Sequence, residues 1–539
     1  MAKENRSPRR VNALLPGLTM MWLTPILRFN HMVYTNSGGT MSGPVPGDGD
    51  AAELAQFGYS QSLERRTGKF ASFAVAFAFV SIATGIFTTY GSVLNSSGPI
   101  GIWTWPIAVV GQLAVAFVLG ALASRIPVTG YHYQWMSRLA NPVLGWIIGW
   151  ISFTFLAIVV CAVDYTIAST ILPVLLNYES TATIAWLITA GVLLIQFLLV
   201  AFSTPWAERV NNSFVTLELI GMVALTVLLL VVAAIRGDMD FGNLFSKGAV
   251  PAEGFWSFGD WTSAGPWMLG FLLGAFTIVG FESAANLAEE THDPERVVPR
   301  AMCQAVLASG VLGFLFLVAV TLAAGDPIAL AESGTPIADV IESTLGSVVA
   351  TLLLLMVVLA IFACGLVIMI TGVRLTWAMS RDKRFPGWQQ WDQISSRFHT
   401  PFKAAVLYFV VANLILAIFS RSETALFTLF GAATLLPAVM YASTVVLYLI
   451  KRKSLPANGK FDLGAWEIPV VAVAVVWLAF ELALFRDSSF KEAWSYVIVM
   501  VVIGALYLGY LLATRGRHGL SMPDMHSIDA ELDREAAKD

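Results

Sequence analysis

The stretch Gly265–Arg300, GPWMLGFLLGAFTIVGFESAANLAEETHDPERVVPR, sets a carboxylate where one is unfavourable. An apolar run reaches Gly280, places Glu282 just beyond it, and ends in a charged loop whose Arg296 and Arg300 flank Pro299. An ionisable side chain at membrane depth costs enough free energy to mark a functional position. Three more acids, Asp164, Glu218 and Glu481, fall inside other apolar runs, and those runs hold no Lys, Arg or His. Burial without a basic partner disfavours the charged form, so such acids are expected to be neutral, to exchange protons or to hold a cation. Glu282, beside the glycine, is the first candidate for coupling, and Glu218 and Asp164 follow. Glu218 has a helix-packing hydrogen bond as its plainer role. Glu481, near one end of its run, reads as a wetted interfacial carboxylate.

Other chemistries lack their residues. Cys161, Cys303 and Cys364 stand alone in apolar runs with no CxxC pair, which excludes a disulfide scaffold and a thiolate zinc site. The six histidines show no metal-ligand spacing. Nothing has the form of a hydrolase elbow or a phosphate loop, so no catalytic residue, metal or cofactor is assigned. A net charge of -4 gives no basic footprint for nucleic acid. The chain is 57% hydrophobic and 13% charged over 539 residues, with a mean hydropathy of +0.72. No soluble core accommodates that much apolar sequence, so the chain is expected to be a polytopic, all-α membrane protein.

The elements that must position these acids are apolar helices. Twelve runs approach or exceed the length that crosses ~30 Å of hydrocarbon. Spans 1 to 5 are Phe70–Leu94, Gly101–Ala123, Val143–Leu176, Thr183–Ser203 and Asn211–Ala234. After a polar loop come span 6, Gly265–Leu287, span 7, Met302–Gly325, and span 8, Leu345–Val373. Spans 9 to 12 are Ala404–Ser420, Thr424–Ile450, Ile468–Phe485 and Trp494–Ala513. With residues 41–69 inside, 22 Lys and Arg fall in cytoplasmic segments and 5 in the opposite loops, an excess that sets both termini in the cytoplasm. At the N-terminus, Lys3, Arg6, Arg9 and Arg10 precede an apolar stretch broken by Pro16 and Pro25. A signal segment or an added span is one reading. A cytoplasmic extension over residues 1–69 is the reading taken, with residues 1–40 as candidates for sequence outside the functional protein and Met41 as an alternative start. Residues 515–539 are expected to form a solvated cytoplasmic tail.

Spans 1 and 6 share a feature. Each carries a glycine-centred interruption, SIATGIF (Ser81–Phe87) and TIVGFES (Thr277–Ser283). Five spans per half is odd, so the second five (265–453) lie inverted relative to the first (70–235), separated by the 236–264 loop. Paired interruptions at corresponding places point to a central site in an inverted-repeat transporter. Backbone N–H and C=O groups freed by unwinding are tolerated at depth only where they line a cavity. Helix N-termini there present N–H dipoles to an anion such as a carboxylate.

These residues also carry a resemblance. GFESAANLAEETHDPERVVPRAM (Gly280–Met302) resembles the sixth-helix signature of the amino acid–polyamine–organocation (APC) superfamily. ATGIF (Ala83–Phe87), SRIPVTGYHYQW (Ser124–Trp135) and GVRLTWAMSRDKRFPGW (Gly372–Trp388) resemble its first-helix break, the loop after its second helix and the end of its eighth. FTTYG (Phe87–Gly91) and FDLGAWEIPVVAVAVVWLAFELALF (Phe461–Phe485) are similar to the amino acid/choline transporter branch. Over roughly residues 60–515 the resemblance implies a LeuT-like five-plus-five inverted repeat with discontinuous helices 1 and 6, followed by two C-terminal helices (466–514). It implies that the backbone at Ala83, Thr84, Gly85 and Ile86 holds a substrate carboxylate, with the Ser81 and Thr84 hydroxyls nearby. Gly280 and Phe281 lie at the second break. Phe276 falls where relatives place an aromatic gate, with Phe in place of the usual Trp. Glu282 falls where related exchangers carry a carboxylate tied to proton-sensitive gating, and Glu218 where some proton-coupled relatives carry a lysine.

The expected function is secondary active import of an amino acid or related amine across the plasma membrane, by alternating access between spans 1, 3, 6, 8 and 10. A proton is the expected coupling ion, sodium the alternative. A choline, polyamine or GABA-type carrier, an amino-acid exchanger and a transporter-fold nutrient sensor are the rival readings. For a cation without a carboxylate, the aromatic faces available are Phe276, Trp377 and Tyr441. A channel predicts repeated polar pore rings and a membrane enzyme predicts clustered catalytic groups; the sequence has neither. Glu289, Glu290, Arg296 and Arg300 at one mouth, with Arg381, Asp382, Lys383 and Arg384 after span 8, are expected to be solvated loop ends, or else a latch that pairs the two halves.

Overall fold

The computed structural model describes residues 54–419, 423–455, 459–516 and 520, without the side chains of 419–430. These residues belong to the compact unit Gly49–Asp539. Residues 1–53 and the tail past 520 lie outside the described residues. Among the described residues the secondary structure is helical, and the one isolated β-bridge joins Thr67 to Thr291. Eleven helices among the described residues are long and apolar enough to cross a membrane, and a shorter apolar helix, Phe402–Ile418, takes the place of span 9.

In chain order, α1 (Lys69–Val80) and α2 (Ile82–Ser97) replace span 1. They are followed by α3 (Thr104–Arg125), the short α4 (Tyr131–Leu139) and α5 (Pro142–Thr166). A π turn, Ile167–Ile171, interrupts what the sequence reads as one continuous span 3. Then come α6 (Ala182–Phe202) and α7 (Thr204–Arg236). Span 6 resolves into α8 (Pro266–Gly270), α9 (Leu272–Thr277) and a 3-10 segment, Phe281–Glu290, kinked at Leu287. The long helices that follow are α10 (Pro294–Leu322), α11 (Ser347–Arg381), α12 (Phe402–Phe419), α13 (Glu423–Lys451), α14 (Glu467–Leu484) and α15 (Lys491–Arg515).

Capping chemistry starts these helices where the sequence allows it. Asn141 accepts from the Leu144 amide with Pro142 at the first helical position, and Ser203 caps Trp206 with Pro205 behind it. Both use the donors that a helix start leaves orphaned. Between helices, small residues allow close approach, the main source of packing energy where lipid is as apolar as the protein. Trp105 of α3 lies against Gly313 of α10 and donates its indole N–H to the Gly310 carbonyl at 2.8 Å.

The two breaks have separate local causes. Ser81 sits at φ 33°, ψ 95°. Its amide closes α1 onto the Phe77 carbonyl, and its hydroxyl accepts from the Thr84 amide as the N-cap of α2. One serine thus ends a helix and begins the next, since its hydroxyl competes with the backbone ladder. At the second break Ile278 leaves helical geometry and Gly280 takes φ 79°. A Cβ at Gly280 would overlap the Phe79 ring at the end of α1, so the position needs glycine for both conformation and space.

One expectation about charge is overturned here. The helix after Leu345 does not stop at Val373 but runs to Arg381, which brings Arg374, only 2% exposed, inside it. The spans are therefore not free of basic residues: hydrogen bonding carried the helix through a segment that hydropathy alone ends.

Candidate functional site

Between the two breaks lies a small cavity, with room for about one or two waters. Phe79 and Val80 end α1 on one side of it, and Thr84 and Gly85 open α2. Val159 and Val163 of α5, Cys364 and Ile368 of α11 and Ala433 of α13 form walls. Phe276, Thr277 and Val279 close it from the second break. Its side-chain polar groups are the Thr84 and Thr277 hydroxyls and the Cys364 thiol, and among the described residues no charged side chain lines it. Charge on a bound molecule must then be met by the helix ends themselves. Terminal turns leave amides at the start of α2 and carbonyls at the ends of α1 and α9, with partial charges of opposite sign.

Neighbouring side chains already hold several of these backbone groups. Glu218 of α7 accepts from the Ala83 amide at 3.2 Å and from the Ser81 hydroxyl at 3.1 Å, while its Oε2 is buried without a partner. The Cys364 thiol donates to the Phe79 carbonyl at 3.3 Å. At the second break the Tyr441 hydroxyl of α13 accepts from the Gly280 amide at 2.9 Å and donates to Glu282 Oε2 at 2.6 Å. The other Glu282 oxygen faces His132 Nε2 of α4 at 3.7 Å. Glu282 therefore has a basic neighbour, contrary to the sequence expectation of an acid without one.

The remaining candidates are distributed as follows. Ser81, Ala83, Thr84 and Gly85 gather at the first break; Ile86 is fully buried behind them. Phe276 lines the cavity, whereas Phe281 packs on the Tyr441 ring at 5.5 Å between centroids. Asp164 is buried away from the opening, accepts from Gln196 Nε2 at 2.8 Å, and lies where a Cβ on Gly365 would fall. Trp377 is remote, its indole bonded to the Asp392 carbonyl at 3.1 Å. Glu481 is corrected outright: it is 0% exposed and faces Gln112 at 3.4 Å, because α14 packs on α3 instead of ending in solvent.

One end of the bundle holds a cluster of buried charge pairs. Arg381 makes a bidentate pair with Glu289 at 2.9 and 3.1 Å, and Arg374 makes another with Glu290 at 2.8 and 3.2 Å. The Arg381 guanidinium also stacks over Tyr59 at 3.8 Å. The Tyr59 and Tyr133 hydroxyls donate to Asp382 at 2.9 and 2.7 Å. Burial, reinforced by the Asp382 carboxylate, raises the Tyr59 phenol above its ordinary pKa, so it stays a donor. The Thr129 and Gly130 amides donate to Glu289 and Asn286. The ion pairs join two elements of the second half; the first half is tied on by hydroxyl, amide and aromatic groups. Bidentate pairs of this kind fix geometry as well as energy.

Sequence reasoning passed over His132 and Cys364 as site residues, and met Tyr441 only as an aromatic face. A lone histidine in YHYQW has no spacing partner to signal it, and the partners of all three lie on distant helices.

Comparison with known proteins bears on this arrangement. Residues 68–507 match the sequence model described as amino acid permease. The chain is 27% identical over 526 residues to amino-acid permease 2 of Neurospora crassa, covering 92% of this chain and 93% of that one. It is 26% identical over 474 residues to amino-acid permease BAT1 of Arabidopsis thaliana (83% and 90%). It is 25% identical over 433 residues to the GABA-specific permease of Saccharomyces cerevisiae (78% and 75%).

Proposed function

This chain belongs to the amino acid permease family, and from that premise we propose a secondary active transporter that imports a neutral amino acid by alternating access around the cavity between the two breaks. The observation that carries the reading is that cavity: two helix ends of opposite polarity meet in a space whose walls, among the described residues, hold no charged side chain. A zwitterion supplies both charges such a space requires. Its carboxylate meets the start of α2 at Ser81, Ala83, Thr84, Gly85 and Ile86. Its ammonium meets the carbonyls ending α1 and α9 near Gly280. Its side chain meets Val159, Val163, Phe276 and Ile368, which suits an apolar or small group. In this reading the helices form a five-plus-five inverted repeat of twelve spans in the plasma membrane, with both termini in the cytoplasm. The Arg381–Glu289 end is then the cytoplasmic gate, shut.

Coupling follows from the acids. Glu218 occupies the Ala83 amide that a substrate carboxylate would compete for. Protonating Glu218 weakens that bond and frees the amide, so proton and substrate bind together. Glu282 plays the corresponding part at the second break, and Asp164 lies behind the first. Sodium is the alternative coupling ion. A GABA-type substrate is the second reading, favoured by similarity to a GABA-specific permease: its separated charges also reach both helix ends.

Proteoliposome uptake of labelled alanine, leucine, GABA, choline and putrescine, with and without an imposed pH gradient, tests the proposal. Accumulation of a zwitterion driven by the gradient is expected. Uptake of choline or putrescine alone would overturn it. In a Gly85→Leu protein the new side chain would meet Thr277 across the cavity, and uptake is expected to fall about a hundredfold, a loss of ~2.7 kcal/mol within the range of overpacking effects. Normal uptake by that variant would remove the helix-start cradle from the account.

A further inference from the structure

We propose that His132 and Glu282 together form a one-proton binding site of this carrier, wired through Tyr441 to the backbone of the second break. The inference rests on the transport reading above and adds a residue to it.

The hydrogen inventory assigns the empty position. His132 is fully buried, walled by Tyr131 and Trp135 at ring distances of 5.0 and 5.2 Å. Its Nδ1 lies 2.9 Å from Thr444 Oγ1. The Thr444 hydroxyl has a single hydrogen, which goes to the Met440 carbonyl at 2.8 Å. Thr444 can therefore only accept, and His132 Nδ1 must carry the hydrogen. Neutral His132 then presents a bare lone pair at Nε2, which has no hydrogen-bond partner, toward Glu282 Oε1 at 3.7 Å. Two acceptors facing each other in a dry site repel, and one added proton converts them into a charge-assisted hydrogen bond. That proton comes from water and returns to water; no other reactant is needed.

The second oxygen of Glu282 carries the signal onward. It accepts from Tyr441, and Tyr441 accepts from the Gly280 amide. Pairing Glu282 Oε1 with protonated His132 draws negative charge from the carboxylate, weakens the first of these bonds and lets Tyr441 turn away from the amide at the break. The titratable groups facing the pair are Tyr441 from α13 and Tyr131 from α4. Of the other charged groups on the packed elements, Arg381 pairs with Glu289, Arg374 with Glu290, Asp382 accepts from Tyr59 and Tyr133, and Asp164 accepts from Gln196.

The test uses the full chain in proteoliposomes and the best-accumulated compound of the panel above. For wild type, His132→Gln, Glu282→Gln and Thr444→Val, the ratio of gradient-driven uptake to counterflow exchange is measured. The ratio is expected to fall about tenfold in the first two variants, and severalfold in Thr444→Val, which releases the tautomer without touching either titrating group. A wild type that accumulates nothing in any arm sinks the transport reading itself. A gradient-driven wild type whose ratio survives in His132→Gln overturns this inference alone. If His132→Gln misfolds by size-exclusion profile, an undiminished ratio in Thr444→Val overturns it instead.

Discussion

A Glu289→Ala protein is expected to lose closure of the charged end and about 3–5 kcal/mol of stability, the usual effect of removing one partner from a buried ion pair. The carboxylate is fully buried, holds both terminal nitrogens of Arg381, and also accepts from the Thr129 amide. Its removal leaves a guanidinium in a site built for a pair, with only the Tyr59 and Trp377 ring faces for company. The native Cys364 reports the outcome, because it lines the central cavity while Cys161 and Cys303 are buried elsewhere. A membrane-impermeant maleimide applied from the Arg381 side is expected to label Cys364 about tenfold faster than in wild type, tracking the shift in gate equilibrium. A Cys364→Ala background serves as the blank. Glu289→Gln, which keeps shape and one acceptor, should show a smaller effect. Unchanged labelling in the alanine variant would mean that the ion pair does not hold this end shut.

Gly280→Ala is expected to abolish uptake. Two penalties coincide there. A non-glycine residue held at φ 79° costs about 1–2 kcal/mol, and the added methyl falls within the Phe79 ring, which α1 carries at the first break. The ring can yield only by moving the end of α1, so a change at one break displaces the other. A Gly191→Ala protein is the matched control: the same substitution in α6 meets open space and gains helix propensity. Expression-normalised uptake and thermal melting separate the cases. Combining Gly280→Ala with Phe79→Ala should relieve the overlap while leaving the backbone strain, so partial recovery is expected. Full activity of Gly280→Ala alone would show that the break tolerates a side chain and that the two ends do not touch as described.

How much of this could be read from the chain follows the range of each interaction. The apolar spans are sums of transfer free energies over about 20 consecutive residues, and the breaks come from a serine hydroxyl and a positive-φ glycine acting within a turn. Ser81, Gly280 and the placement of Glu282 beside a break are legible for that reason. Span limits fail where hydrogen bonding outruns hydropathy, as at α11, which carries Arg374 and Arg381 beyond the apolar run.

Pairing across the chain is another matter. Glu481 lies 369 residues from Gln112, and Gly280 lies 161 from Tyr441. No local pattern encodes such meetings, because they depend on which helix faces turn toward each other. The amino-acid sequence by itself determined the membrane-spanning class, the two interruptions and the unusual acids. Only the tertiary structure decided what each acid faces: His132 and Tyr441 for Glu282, the Ala83 amide for Glu218, Gln196 for Asp164. Helix formation and membrane burial are local sums along the chain, whereas the electrostatics of a buried carboxylate are set by the few atoms that packing brings within about 4 Å of it.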